Sequence, residues 1–273
     1  MKKFRIPALI LAILMAVTLF CGCQPKEKDN TPTEPPTEDI KNMTPEDLYK
    51  KSSEKMNSLQ DLHMKGSMSY EYGGEVMDMD LESWEKKGAN PVSKSVMTMH
   101  VSGMDLSTVV YIKDGYTYTD SFGMKMKQKI VEGETDSTSL ADIANLDGYN
   151  YIKEMNSEVR DDGTFLNIVL DSKMLADNPE FGSAMAEATG GYGGEGMDLS
   201  FSDINMSITI DKNGYYSNLK MSFTMTMSIM GQSLDMGMSF DFDYVDVGSA
   251  VEIEDINPDE YYDMDDVDDD DVG

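Results

Sequence analysis

Residues 205–244 read NMSITIDKNGYYSNLKMSFTMTMSIMGQSLDMGMSFDFDY. Leu219, Met221, Phe223, Met225 and Met227 alternate there with lysine, serine and threonine, and Leu234, Met236, Met238, Phe240 and Phe242 alternate in the same way after Gly231. A period of two places apolar side chains on one face of an extended strand and polar ones on the other. Lys212-Asn213-Gly214 and Gly231-Gln232-Ser233 are turn sequences that supply the backbone angles tight hairpins need. Strands are therefore expected over 199–211, 215–230 and 234–247, each antiparallel to the next.

The same pattern runs toward the N-terminus. Leu62, Met64, Met68, Tyr70 and Tyr72 alternate with polar residues, Gly73-Gly74 turns the chain, and Met77, Met79 and Leu81 alternate again, which reads as a hairpin. Further strands are expected over 92–101, 106–113, 116–121, 124–131, 151–160 and 164–171, joined by turns such as Lys113-Asp114-Gly115 and Asp161-Asp162-Gly163. Before them, Thr44-Pro45-Glu46-Asp47 starts a helix: the threonine caps free N–H groups, proline suits the first turn, and the acids favour the positive end of the dipole. Leu48, Tyr49, Ser52, Met56 and Leu59 then share one face of a helix over 44–59. Two further helical stretches are expected, one around Leu140 to Leu146 and one within Ser172 to Ala188. The expected fold class is α+β: a curved antiparallel half-barrel sheet of about ten strands, with the N-terminal helix and the central helices packed on its concave face. It forms one domain over 44–250.

The flanks are of different character. Met1-Lys2-Lys3-Phe4-Arg5 is basic, Ile6 to Phe20 carries no charge, and Cys21-Gly22-Cys23 follows. That apolar run is shorter than the roughly 20 residues a membrane span needs, so a cleaved signal is expected over 1–22. Phe20-Cys21-Gly22-Cys23 resembles the lipobox of bacterial lipoproteins, with Phe20 where leucine is usual; small Gly22 before it makes Cys23 the expected lipidation site over Cys21, which follows bulky Phe20. The lipid is expected to hold the protein at the extracytoplasmic face of the cell membrane. Residues 23–43, with Pro25, Pro32, Pro35 and Pro36, read as a disordered tether. Residues 251–273 read as an acidic disordered tail, for which diffuse Ca²⁺ binding is an alternative role.

The chain has 22 basic and 51 acidic residues, a net charge of −29. Loss of Lys2, Lys3 and Arg5 with the signal leaves 19 against 51, or −32. Such a surface repels nucleic acid and anionic headgroups, so neither is an expected partner. After Cys23 there is no other cysteine, so no disulfide can form within the mature chain.

Residues 43–72, MTPEDLYKKSSEKMNSLQDLHMKGSMSYEY, and 208–223, ITIDKNGYYSNLKMSF, together with the lipobox and acidic linker, resemble surface lipoproteins of Gram-positive bacteria. The fold of that group is similar to the LolA/LppX type, the fold of lipoprotein carriers. The resemblance covers about residues 43–247 and is one of pattern. It implies a hydrophobic cavity between sheet and helices, and carriage or sensing of an acylated ligand.

Methionine supplies 25 of 273 residues, with Met-x-Met pairs at Met77/Met79, Met97/Met99, Met124/Met126, Met225/Met227 and Met236/Met238. On a strand each pair sets two thioethers on one face. Three readings stand: adaptable core filler, a plastic lining for acyl chains, and Cu(I) ligation with a nearby histidine as in Met97-Thr98-Met99-His100. The candidate ligand-binding residues are Met77, Met79, Met97, Met99, Met225 and Met227.

Catalytic signatures are missing from the sequence: there is no Gly-x-Ser-x-Gly, His-Glu-x-x-His or phosphate loop, and no cofactor is expected. His63 and His100 read as surface residues and Trp84 as a packing residue. Asp211-Lys212-Asn213-Gly214 imitates the start of a calcium loop, yet reads as a hairpin turn. The expected function is a non-enzymatic binder or carrier of a hydrophobic or acylated ligand. The alternatives are an envelope interaction protein without a small ligand and a methionine-rich copper module.

Overall fold

The computed structural model describes residues 43–101, 103–130, 151–176, 197–229 and 232–264. The expected signal, Cys23, the tether, the helix around Leu140 to Leu146, most of the stretch Ser172 to Ala188, and residues 265–273 lie outside them.

The chain begins with α1 (Pro45–Asn57), followed by β1 (Asp61–Tyr72), β2 (Glu75–Lys86), β3 (Val92–Val101), β4 (Met104–Lys113), β5 (Tyr116–Ser121) and β6 (Met124–Lys129). Then come β7 (Ile152–Val159), β8 (Thr164–Leu170), α2 (Ser172–Ala176), β9 (Met197–Phe201), β10 (Ile204–Ile210), β11 (Tyr216–Ile229), β12 (Gln232–Tyr244) and β13 (Tyr262–Asp263). They form one open sheet of 13 strands in the order β13-β6-β5-β4-β3-β2-β1-β12-β11-β10-β8-β7, with β9 also on β11. Every pairing is antiparallel except β13 with β6, which is parallel. The sheet is two meanders joined at one seam, β1 against β12.

Thirteen strands exceed the ten or so expected, for two physical reasons. The expected strand 199–211 is interrupted at Ser202-Asp203. There the Ser202 amide donates to the Thr224 carbonyl and the Thr224 amide to Ser202 Oγ, while Asp203 leaves the ladder to pair with Lys153 at 2.6 Å and accept from Ser172. The second addition, β13, comes from the segment expected to be a disordered tail. That expectation is corrected for residues 251–264, which are held on the sheet by ion pairs and by Tyr261, a buried residue.

α1 forms as its sequence directs. Thr44 Oγ1 accepts from the Asp47 amide at 3.2 Å, Pro45 opens the helix, and Leu48, Tyr49, Ser52 and Met56 are buried. Its last turn is tied to the β10–β11 hairpin: Ser53 Oγ meets the Tyr216 hydroxyl at 2.5 Å, the Tyr216 amide donates to Met56 Sδ at 3.3 Å, and Lys55 reaches the Asn213 carbonyl and stands over the Tyr215 ring. Leu48, Tyr49, Met56 and Leu59 belong to one core with the sheet residues. Of the central helices expected on the sheet, the described residues contain only α2, five residues long. No described helix is long and apolar enough to cross a membrane.

Candidate functional site

Directly paired residues on neighbouring strands point to the same face, so the register defines which side chains line up. One row crosses nine strands from β4 to β7: Leu106, Met99, Met79, Met68, Phe240, Met221, Met206, Ile168, Met155. Six of its nine members are methionine. Beside it on the same face runs Met97, Leu81, Gly66, Phe242, Leu219, Ile208 and Leu166, and on the other side Met77, Tyr70, Met238 and Phe223. Met225 and Met227 continue this face along β11, opposite Met236 and Leu234.

All six candidate methionines therefore share one face of the sheet. They form two groups: Met77, Met79, Met97 and Met99 lie on β2 and β3, while Met225 and Met227 lie on β11, with β1 and β12 between. At a strand spacing of about 4.8 Å, β2 and β11 are roughly 14 Å apart. Met68, Met206, Met221, Met236 and Phe240 fill the space between and around the groups, and all of these but Met236 are missed by a search for Met-x-Met pairs alone. The alternation that marks each strand would have found them, but only the register shows which of them meet.

The face is closely packed. Met68 and Met79 are 1 % exposed, and Met97, Met99, Met225 and Met227 stay below 8 %; Met77 is half-buried. Phe223 stacks with Phe240 at 6.1 Å, and Phe240 packs against Phe242 at 6.2 Å. Burial pushes the Tyr70 hydroxyl up to about 12, because a phenolate there would lose its water. Tyr244, at the α1 end of the same face, is pushed up to about 12 by burial and then by the nearby Tyr49.

The opposite face is polar. Over the β1–β12 seam it holds an open depression of about 690 Å³, lined among others by Lys65, Asp80, Glu82, Lys220, Asp241 and Asp243. Its groups tie strands to one another: Lys220 pairs with Asp241 at 2.6 Å, and Asn218 donates to both Asp241 and Asp243. Further along, the cross-strand row His63, Trp84, Lys94, Tyr111, Tyr118, Lys127 spans β1 to β6. His63 stacks on Trp84 at 5.0 Å and bonds Glu82 at 2.9 Å, and Lys94 stands 5.4 Å from the rings of both Trp84 and Tyr111. Trp84 is thus a packing residue, as expected.

His100 is also on the polar face. Its Nδ1 lies 2.8 Å from Asp105 and its Nε2 3.0 Å from Asp80, and these carboxylates hold its pKa above the usual histidine value. Met97 and Met99 point to the other side of β3, so a copper site of Met97, Met99 and His100 does not assemble: the strand itself stands between thioethers and imidazole. Among the described residues no cluster of three histidine, cysteine or acidic side chains is arranged to hold a metal. Asp211 accepts from the Asn213 and Tyr215 amides, which makes 211–214 the hairpin turn its sequence suggests.

No protein-family model matches the chain, and no curated protein sequence does. Among solved structures it is similar to LprF from Mycobacterium bovis, with 13 % identity and a TM-score of 0.41 over 78 % of this chain and 99 % of that one. It is also similar to a DUF1329 family protein from Desulfovibrio piger, with 14 % identity and a TM-score of 0.27 over 76 % and 96 % of the two chains. A third likeness is to a LolA superfamily protein from Nitrosomonas europaea, with 10 % identity and a TM-score of 0.27 over 80 % and 97 %.

Proposed function

We propose that this chain is a membrane-anchored extracytoplasmic lipoprotein that binds or carries a hydrophobic, acylated ligand against the methionine-rich face of its sheet. The observation that carries the reading is the apolar row from Leu106 to Met155, in which six of nine side chains are thioethers. Methionine is unbranched and soft, so such a surface repacks around chains of different length and shape at small cost. Met68 and Met79 are nearly sealed from solvent, so a ligand reaches this part of the face by parting packed side chains. Role and place fit each other: a chain of charge −32 after loss of the signal does not approach anionic lipid by electrostatics, so lipid traffic runs through an apolar surface. Cys23 supplies the anchor, and residues 24–43, fully extended, let the domain reach at most about 70 Å from it. The role is binding and carriage, without chemistry on the ligand.

The test is mass spectrometry of the full chain purified under native conditions. A co-purifying lipid supports the reading, and its absence, together with failure to take up a fluorescent fatty acid, overturns it. Anchoring is tested apart from carriage: Cys23→Ala is expected to move the protein out of the membrane fraction and Cys21→Ala to leave it there.

A further inference from the structure

In a chain of charge −29, Lys94, Lys113, Lys125 and Lys127 gather on one surface, the outer side of β3 to β6, and the chain's own segment Val251–Asp263 lies across them. Glu254 faces Lys94 at 3.9 Å, Asp255 bonds Lys113, Glu260 bonds Lys125 at 2.6 Å, and Asp263 faces Lys127 at 3.3 Å. Tyr261 sits edge-on to Tyr118 at 5.2 Å, with Lys125 5.6 Å from its ring. The two residues after it add a short parallel strand to β6, the last strand of the meander.

We propose that this surface is a docking site for an extended acidic segment of a partner protein, and that Val251–Asp263 occupies it as a displaceable stand-in. The observed contacts define what fits: two adjacent acids for Lys94 and Lys113, an acid and an aromatic residue for Lys125 and the Tyr118 ring, and a last acid for Lys127. In sequence terms the pattern is E-D-x-x-x-x-E-Y-x-D, which residues 254–263 display. Strand addition to an open edge supplies affinity through the backbone, and side-chain sites at set spacing supply selectivity. The segment is built to leave. Three of its four pairing acids face water, Glu254 at 89 %, Asp255 at 77 % and Glu260 at 54 % exposure, where ion pairs are weak and screened by salt, and only Asp263 is more enclosed. Its ladder is two residues long, and Tyr261 is its one buried large apolar side chain. The lysines and the Trp84–Tyr111–Tyr118 row beneath belong to the sheet itself and stay in place when it lifts.

The test uses the full chain carrying Asp255→Asn, Glu260→Gln and Tyr261→Ser, with circular dichroism to confirm its fold, and labelled synthetic peptides as probes. One peptide is residues 251–264, one keeps only the E-D-x-x-x-x-E-Y-x-D pattern in an otherwise unrelated sequence, and one is a scramble of the first. Both patterned peptides are expected to bind the weakened chain at least about tenfold more tightly than they bind the unaltered chain or than the scramble binds, a difference erased by high salt. Binding of the 251–264 peptide alone would make the segment a private strap and overturn the proposal, as would equal binding of the scramble or no binding at all. Should the triple variant misfold, Tyr261→Ser alone is the second chain, with Lys125→Gln/Lys127→Gln added as the variant expected to lose both peptides.

Discussion

Gly66 has no side chain, and the ring of Phe242, its partner across the β1–β12 seam, takes the space one would occupy. A Cβ built there would stand 2.0 Å from the Asp241 carbonyl oxygen and 2.7 Å from Phe242 Cδ1. The first is backbone and cannot swing aside, so Gly66→Ala must part the two strands; a loss of about 1–3 kcal/mol in stability, the range for overpacking, is expected in urea melts. On the opposite face His100 makes its own prediction. Protonated, it is held by Asp105 and Asp80, so its folded pKa is raised; the stabilisation is complete below the unfolded value near 6.5 and fades as pH rises through the folded one. NMR titration should place the His100 ring protons above 6.5, and Asp80→Asn with Asp105→Asn should bring them back. Neither contact is visible in a local pattern, since Gly66 and Asp241 are distant in sequence and Asp80 reaches His100 from another strand.

Among elements, the strands were legible because alternation and turns are local. The hairpin of β1 and β2, the strand 92–101 and the cap at Thr44 fall where residue spacing puts them. The break at Ser202-Asp203 was not legible, because both residues suit a solvent-facing strand position and only Lys153 and Ser172, brought alongside by folding, draw Asp203 out of the ladder. Asp203→Ala should therefore leave β10 paired but speed amide exchange around Ser172 and Lys153 more than in β11. The segment 251–264 was illegible for a related reason. Twelve acids from Glu252 to Asp271 without a basic residue read as self-repelling chain, and nothing near them in sequence reveals four lysines set to receive their first half. The methionine face was half legible: each strand declares its apolar side, while the row from Met99 through Phe240 to Met206 exists only in the register.

For the molecule as a whole, that apolar face sets the alkaline limit. Tyr70 and Tyr244 titrate at about 10 in the unfolded chain and are both raised to about 12 in the folded one. Their raised values favour folding fully below pH 10, and the contribution is lost as pH climbs from about 10 to 12, where the unfolded chain ionises first. Unfolding followed by circular dichroism should set in across that window, and Tyr70→Phe should move it upward.

The seam between β1 and β12 sets the order in which the sheet can assemble. A chain that emerges N-terminus first can assemble the meander β1 to β6 early, since each hairpin needs only its neighbour. Met64 must then wait for Tyr244, and Met68 for Phe240, until nearly all of the chain has been made. In that interval β1 is an unpaired edge beside a methionine face that nothing from the C-terminal half yet covers, the condition in which β-proteins stick to one another. A half-built sheet of this kind exposes its apolar face before the C-terminal half arrives, so its most vulnerable moment precedes any ligand.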